Sequence, residues 1–335
     1  MDARIVAYLA HRMPDASDIA VDEVHQIHGG SSQETFRLRA RWSVGAVTVD
    51  RKLILRRAPN AGLVVGEHDL EYEVYRALAG SDVPVPAVHF LELDPVWLDR
   101  PFFIMDLCDG KPGHPYAPGD PYDGLGDLVA RAFWHHLGIL ASIDHRAVGL
   151  QRLRNGEAET GFWSIELDRW EHIIAAAETL VQPALSGAIR WLRRNPPPAP
   201  TKPAIVHGDY RSGNFLFTED GRISGILDWE MCHIGDPMED IAWAIDPFWP
   251  MTRHLPLSDG LAIWETASGM RADRDALEWW RLFSAVKASA IWTTAEASFA
   301  SGESKEMVIA MSALRAGHFH RKHLLTLMRE RGAMA

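Results

Sequence analysis

The spacing of hydrophobic and polar positions changes after about the first hundred residues of the chain. Residues 34–42 (ETFRLRARW) and 46–58 (AVTVDRKLILRRA) alternate or run apolar and are rich in Val, Ile and Leu, which indicates β-strands. Residues 87–94 (AVHFLELD) and 100–110 (RPFFIMDLCDG) predict two more strands. Between the two pairs of strands, the apolar positions within residues 70–78 recur at helical spacing, which predicts a helix.

From Asp127 onward the apolar positions recur mainly with the period of an α-helix. This pattern predicts helices at 128–143, across 163–191 with an interruption near Pro183, and at 258–269, 273–299 and 305–329. Residues 218–222 (TEDGR) predict a turn between two short strands. We therefore expect an α+β protein, with a small β-rich N-lobe over residues 1–107 and a large, mainly helical C-lobe over 108–335.

Composition and charge narrow the class of protein. The 335 residues carry a formal net charge of -11, which argues against a nucleic-acid-binding surface and against a polybasic membrane patch. A local pocket for an anionic ligand remains compatible with that charge. Cys108 and Cys232 are the two cysteines, so no disulfide framework is encoded and we expect a reducing, cytoplasmic location. No apolar run is long enough to span a bilayer, and the first 18 residues lack the apolar core of a signal peptide.

Most of the candidate chemistry lies in residues 205–217 (IVHGDYRSGNFLF), where polar side chains stand between two short apolar runs. Asn214 precedes one predicted strand, and Asp228 follows the next one in ISGILDWE. Two strands of a hairpin would bring these two side chains together, and an amide oxygen with a carboxylate is suited to Mg²⁺. Asp209 would face the same space and orient an acceptor hydroxyl, which is the arrangement that phosphoryl transfer requires.

Two other interpretations of this stretch remain open. Asp209 and Asn214 could simply satisfy backbone amides in a loop between strands. A metal-dependent phosphohydrolase could use His207 and Asp209 as ligands, with His233 as the nearest additional histidine. We expect His207 to hold the loop by hydrogen bonds rather than to react.

The stretch HGDYRSGNFLF (207–217), followed by ILDWE (226–230), resembles the catalytic and metal-binding segments of the aminoglycoside phosphotransferase and choline kinase-like family. These are small-molecule kinases with a bilobal, protein-kinase-like fold that has an antiparallel N-lobe sheet. Residues 227–243 (LDWEMCHIGDPMEDIAW) are most similar to the subgroup found as the amino-terminal kinase domain of acyl-CoA dehydrogenase family members. The resemblance implies that Asp209 is the catalytic aspartate and that Asn214 and Asp228 are metal ligands.

The same resemblance implies ATP as cofactor beside Mg²⁺ and assigns residues of the N-lobe to it. The segment GGSSQETF resembles the loop over the ATP phosphates, KLILRR the strand with the phosphate-binding basic residue, and FFIMDLCDG the strand and hinge that hold adenine. The residues so implied are Gly30, Ser31, Ser32, Arg56, Glu71, Asp106 and Cys108. Arg57 is the rival of Arg56, and Glu73 is the rival of Glu71 as its acidic partner.

Two acidic residues downstream, Asp236 and Asp240, resemble structural acidic residues of the family. The competing interpretation is that they cap the helix of PMEDIAWAI, which we favour for Asp240 and weigh evenly for Asp236. Only a few residues separate Asp228 from that helix, so there is no long segment on which a peptide substrate could dock. We therefore expect the acceptor to be a hydroxylated small molecule, and the sequence predicts no other partner and no particular oligomeric state.

The carboxyl-terminal region bears on the kind of acceptor. Aminoglycosides are polycations and require a carboxylate-lined pocket, but after Asp240 there are ten Asp and Glu against eleven Lys and Arg. The region is instead rich in tryptophan, most of which we expect in the core. A partly apolar acceptor such as a hydroxyacyl thioester is the first hypothesis, an aminoglycoside-type antibiotic the second. A nucleotide-binding module without catalysis is the alternative of another class.

Overall fold

The computed structural model describes residues 1–27, 33–58, 69–114, 119–153, 161–177, 181–249, 251–302 and 307–332. The strands are β1 (Ser17–Ile27), β2 (Glu34–Val44), β3 (Val47–Arg57), β4 (Val88–Glu92), β5 (Phe102–Asp106), β6 (Lys111–Pro112), β7 (Ala204–Val206), β8 (Phe215–Phe217), β9 (Ile223–Ile226) and β10 (His233–Gly235). The helices are α1 (Asp2–Arg12), α2 (Leu70–Leu78), α3 (Gly126–Ser142), α4 (Phe162–Ala177), α5 (Pro183–Arg194), α6 (Met238–Ala244), α7 (Leu257–Ser268), α8 (Arg274–Ala300) and α9 (Met307–Glu330). Two 3-10 turns lie at Gln151–Leu153 and Met251–Arg253.

The chain divides into two compact units, and the first consists of Met1–Ala79 and Val85–Cys108. It contains a five-stranded antiparallel sheet in the order β1-β2-β3-β5-β4. Strands β2 and β3 are joined by a two-residue turn, in which Gly45 has a φ of 58° that a glycine adopts without strain. Helix α1 packs its apolar side, including Tyr8, against the sheet residues Leu38 and Leu55.

Strand β1 is the element of this unit that the apolar pattern did not predict. None of its residues is fully buried, so its sequence shows neither a clear alternation nor an apolar run. The predicted strands at 34–42 and 46–58 and the predicted helix at 70–78 are present with bounds that differ by at most two residues.

The second unit consists of Gly80–Pro84 and Asp109–Ala335 and is mainly helical. The interruption predicted near Pro183 is present, because α4 ends at Ala177 and α5 begins at Pro183, in whose first turn the missing N–H of proline has no partner to lose. Helix α8 begins after Asp273, whose side chain accepts a hydrogen bond from the Ala276 N–H at 2.9 Å. The antiparallel sheet of one unit and the helices of the other confirm the predicted α+β fold class.

Two small antiparallel sheets in the second unit carry the polar stretch of the sequence. One has the order β6-β8-β9, and the other pairs β7 with β10. Around them lies an aromatic core with several fully buried tryptophans, namely Trp134, Trp170, Trp229, Trp243, Trp249, Trp264 and Trp280. Within the described residues, no helix is both long and apolar enough to cross a membrane.

Candidate active site

The predicted hairpin is formed by strands β8 and β9, and it brings Asn214 and Asp228 to the same end of the sheet. Phe215 pairs with Ile226, and the Leu227 N–H donates to the Asn214 carbonyl at 2.8 Å. Asn214 therefore immediately precedes the first paired residue of β8, and Asp228 follows the last paired residue of β9 by two positions. The strand register therefore places the amide of Asn214 and the carboxylate of Asp228 at one end of the sheet, although 14 residues separate them in the sequence.

Asp209 lies in the loop that connects β7 to β8, and three donors hold its carboxylate. Oδ1 accepts from Arg211 Nε at 2.8 Å and from Trp243 Nε1 at 2.6 Å. Oδ2 accepts from Asn214 Nδ2 at 2.5 Å. The side chain is 11% exposed, so one edge of it still reaches solvent. Three hydrogen bonds of this kind hold the carboxylate in a single orientation.

The orientation of Asn214 suits a metal ligand. Its Nδ2 donates to both the carboxylate and the backbone carbonyl of Asp209, so its amide oxygen points away from that residue. Asp228 is half-buried and has a φ of 72°, a left-handed conformation that is costly for a residue other than glycine. An amide oxygen and a carboxylate at one edge form an all-oxygen donor set, which fits a hard divalent cation such as Mg²⁺.

His207 holds the loop through both ring nitrogens, as the sequence analysis expected. The Asp209 N–H donates to Nδ1 at 3.1 Å, and Nε2 lies 3.0 Å from the Leu227 carbonyl to which it donates. Burial favours the neutral ring and lowers the pKa of His207 to about 4. Because both nitrogens are already engaged, His207 is not available to a metal, which argues against the phosphohydrolase interpretation.

The capping interpretation of Asp240 is wrong. Its carboxylate accepts from the backbone N–H groups of His207 at 2.6 Å and Gly208 at 2.9 Å, so it holds the loop between β7 and β8 instead of its own helix. Burial raises the pKa of Asp240 to about 7 against the effect of these two hydrogen bonds. Asp236 does act as a cap, because its side chain accepts from the Met238 N–H at 2.9 Å at the start of α6.

A chain of buried charges lies beneath the loop and was missed by the sequence analysis. Lys287, 1% exposed, donates to the Gly208 carbonyl at 2.5 Å and to Glu239 at 3.0 Å. The other carboxylate oxygen of Glu239 lies 3.2 Å from His233 Nε2, which is 3.8 Å from Glu166. A signal was present, because Lys287 is the lone charge in the otherwise uncharged stretch of residues 282–292.

Glu166, His233 and Glu239 have the residue types and the spacing of a metal site, with ligand atoms within 4.8 Å of one another. Lys287 already places a positive charge on Glu239, which opposes the binding of a second cation there. Burial disfavours charge on His233, but Glu166 and Glu239 outweigh it and raise the pKa of His233 to about 9. We therefore interpret the cluster as a chain of ion pairs.

In the amino-terminal unit, the structure pairs Arg56 rather than Arg57 with the helix. Arg56 is 9% exposed, and its Nη1 donates to Glu71 Oε1 at 2.5 Å. Arg57 instead meets Glu34, with Nε 3.0 Å from Oε2. The geometry favours Arg56 and Glu71 over their rivals, and their role toward a nucleotide stays a prediction.

Of the other predicted nucleotide residues, Asp106 and Cys108 lie at and just beyond the end of β5. The Asp106 N–H donates to the Ala87 carbonyl and the Leu107 N–H to the Lys52 carbonyl, so these two donors are engaged within the unit. Cys108, half-buried, follows them directly. Their predicted contact with adenine stays a prediction. Gly30, Ser31 and Ser32 lie outside the described residues.

An aspartate fixed by several donors, next to an amide oxygen and a second carboxylate, is the arrangement that phosphoryl transfer requires. Comparison with known proteins supports this class. A family model described as the phosphotransferase enzyme family matches residues 23–280. The chain therefore belongs to that family, a small-molecule kinase family, and the resemblance recognised in the sequence is confirmed.

Mouse acyl-CoA dehydrogenase family member 10 is 31% identical over 228 residues, or 66% of this chain. The chain spans only 20% of that relative. A crystal structure of a Ralstonia eutropha protein has a TM-score of 0.73 at 22% identity and covers 98% of both chains. The aminoglycoside phosphotransferase APH(4)-Ia, solved with ADP and hygromycin B, has a TM-score of 0.63 at 16% identity and covers 99% of both chains. These structural similarities establish the shared fold.

Proposed function

We propose that this protein is an ATP- and Mg²⁺-dependent phosphotransferase that phosphorylates a hydroxyl group of a small molecule. The observation that carries the proposal is the register of the β8–β9 hairpin, which places Asn214 and Asp228 at the same end of the sheet, with Asn214 donating to the fixed carboxylate of Asp209. A non-catalytic nucleotide-binding module would have no need for Asp209 to be oriented by three donors.

In this proposal Asp209 accepts a hydrogen bond from the acceptor hydroxyl and aims its oxygen at the terminal phosphate. An aspartate is a weak base, so orientation is its main contribution and the proton leaves late in a loose transition state. Asn214 and Asp228 would hold Mg²⁺, and the ion, when bound, neutralises charge on the phosphates. His207 and Asp240 keep the loop in place by hydrogen bonds to its backbone.

We assign nucleotide binding to the N-lobe, residues 1–107, and catalysis with acceptor binding to the C-lobe, residues 108–335. Arg56, oriented by its ion pair with Glu71, would contact the ATP phosphates. The backbone near Asp106 and Cys108 would contact adenine. The loop with Gly30, Ser31 and Ser32 would cover the phosphates.

For the acceptor we favour a partly apolar metabolite such as a hydroxyacyl thioester. Trp243 contacts the Asp209 carboxylate, and the partly buried Phe248 and Trp292 pack against the cluster formed by Trp243 and Trp249. The aromatic surroundings suit an apolar group better than a polycation. The relationship to an acyl-CoA dehydrogenase family member points the same way. An aminoglycoside-type acceptor is the second candidate, because a structural neighbour binds hygromycin B.

The proposal is tested by Asp209→Asn, which preserves shape and removes the negative charge. We expect MgATP binding to stay within about twofold, while turnover falls by roughly 10²–10⁴-fold. Turnover is measured as ADP release with mass detection of the phosphorylated product, using a panel that contains hydroxyacyl thioesters and cationic antibiotics.

The matched control is Asp220→Asn, at an exposed turn of the same hairpin, where the side chain contacts Arg222. This variant should keep wild-type turnover. An Asp209→Asn protein that phosphorylates its acceptor at the wild-type rate would contradict the proposed role of Asp209.

A further inference from the structure

The two carboxylate oxygens of Asp209 have different numbers of donors. Oδ1 accepts from Arg211 Nε at 2.8 Å and from Trp243 Nε1 at 2.6 Å, whereas within the part of the chain that the structure describes Oδ2 accepts from Asn214 Nδ2 alone, at 2.5 Å. Each carboxylate oxygen offers about two lone-pair sites. Oδ1 is therefore fully occupied within the protein, and Oδ2 retains one site.

The two donors to Oδ1 are themselves connected through Trp249. Its Nε1 donates to the Trp243 carbonyl at 2.8 Å, and its ring lies 4.9 Å from that of Trp243 at an angle of 48°. The guanidinium of Arg211 lies 4.9 Å from the centre of the Trp249 ring, within the range of a cation–π interaction. Asp209, Trp243, Trp249 and Arg211 thus form a closed ring of contacts.

Close packing leaves the residues of this closed ring of contacts little freedom to move. Trp243 is 1% exposed and Trp249 is 2% exposed. The ammonium of Lys287 lies 5.1 Å from the centre of the Trp243 ring, on the buried side. A carboxylate held at one oxygen by two fixed donors cannot turn about its Cβ–Cγ bond without losing both of these hydrogen bonds.

We propose that Trp243 and Arg211 are positioning residues that occupy Oδ1 and thereby leave Oδ2 to accept the hydrogen bond of the acceptor hydroxyl. The inference rests on the proposed function of Asp209 as the residue that orients the acceptor. It adds that one particular oxygen meets the acceptor and that a tryptophan on α6 selects it.

The test compares Trp243→Phe, which removes the N–H donor, with Trp243→His, which retains a ring N–H but leaves more empty volume. ADP release from MgATP is measured with water as the acceptor, together with thermal unfolding. We expect Trp243→Phe to lower kcat about tenfold with the KM for ATP unchanged within about twofold, because a charge-assisted hydrogen bond is lost. Trp243→His should be the less stable variant and yet have the higher kcat of the two.

Trp280→Phe is the matched control, since its indole donates to Asp236 at 2.9 Å instead of to the catalytic loop. It should lose stability and keep kcat within about twofold. A kcat of Trp243→Phe within twofold of wild type would overturn the inference, and so would activities that simply follow the order of stability.

Asp209→Asn, assayed in parallel, separates this inference from the proposed function. If Asp209→Asn is inactive while Trp243→Phe is normal, the selection of Oδ2 is wrong and the proposed function stands. If Asp209→Asn releases ADP at the wild-type rate, the proposed function fails. A wild-type protein that releases no ADP, with water or with the metabolite panel, contradicts both.

Discussion

Each unit contains a buried ion pair. The pair in the first unit contacts side chains, whereas the pair in the second unit also contacts the backbone. Arg56 and Glu71 connect strand β3 to helix α2, and Glu71 accepts further hydrogen bonds from Tyr75 at 2.9 Å and Gln33 at 3.1 Å. All of these contacts join side chains. In the second unit Lys287 pairs with Glu239 and also holds the backbone carbonyl of Gly208.

The ion pair of the first unit therefore positions a side chain, whereas that of the second unit positions the backbone. Buried side chains hold both backbone groups of Gly208, because its N–H donates to Asp240 and its carbonyl accepts from Lys287. Asp209 follows directly, so its backbone position depends on residues far away in sequence. The pair Arg56–Glu71 orients a guanidinium, which we propose to serve the nucleotide.

The largest effect is expected for Lys287→Met, which removes the cation and leaves Glu239 buried without it. Breaking a buried ion pair in this way costs about 3–5 kcal/mol of unfolding free energy. Urea unfolding measures the loss. Lys202→Met is the control, since Lys202 is exposed and donates to the Ser142 carbonyl at 3.0 Å. If both variants lose the same small amount of unfolding free energy, the buried ion pairs around Lys287 contribute no specific stability.

The second effect is a pH dependence of stability that originates at His233. The charged groups that face it are Glu166 on α4 and Glu239 on α6, with Lys287 on α8 beyond Glu239. Because the pKa of His233 is raised from 6.5 to about 9 on folding, its contribution is complete below pH 6.5 and is lost as pH rises through 9. The contribution is about 3 kcal/mol.

His233→Gln should therefore be less stable than wild type at pH 6.5 and lose less stability between pH 7 and 10. Urea unfolding at a series of pH values measures both quantities. His172→Gln, at an exposed position of α4, should retain the wild-type pH dependence. If the unfolding free energies of wild type and His233→Gln change in parallel with pH, the stability of the buried ion pairs does not depend on a protonated His233.

The smallest effect is expected for Arg56→Lys, which keeps the positive charge but replaces the guanidinium by an ammonium group with fewer N–H donors. We expect the Kd for MgATP to rise about fivefold, because an ammonium cannot reproduce the planar, forked hydrogen bonding of a guanidinium. Arg57→Lys is the matched control in the neighbouring position, where Arg57 pairs with Glu34. Should Arg57→Lys weaken MgATP binding more than Arg56→Lys, the assignment of the phosphate-binding arginine is reversed.

How far the sequence could predict the site depended on how local each contact is. The β8–β9 hairpin was predicted because its strands are adjacent in the chain and one turn sets their register. The resemblance already assigned Arg56 with Arg57 as its rival, and burial supports that choice, since adjacent strand residues point to opposite faces. Asp240 was misjudged because a helix-capping rule uses local spacing, whereas its partners His207 and Gly208 lie more than 30 residues earlier.

The sequence by itself determined the fold class and the family and predicted the residues of the candidate site, because periodicity and motif spacing are properties of neighbouring positions. Only the tertiary structure decided which groups hold Asp209 in place. Trp243 on α6 contacts Asp209, which lies 34 residues earlier in the chain. Lys287 on α8 contacts Gly208, which lies 79 residues earlier. Such contacts arise from helix packing, and no local pattern encodes which buried donor faces which acceptor.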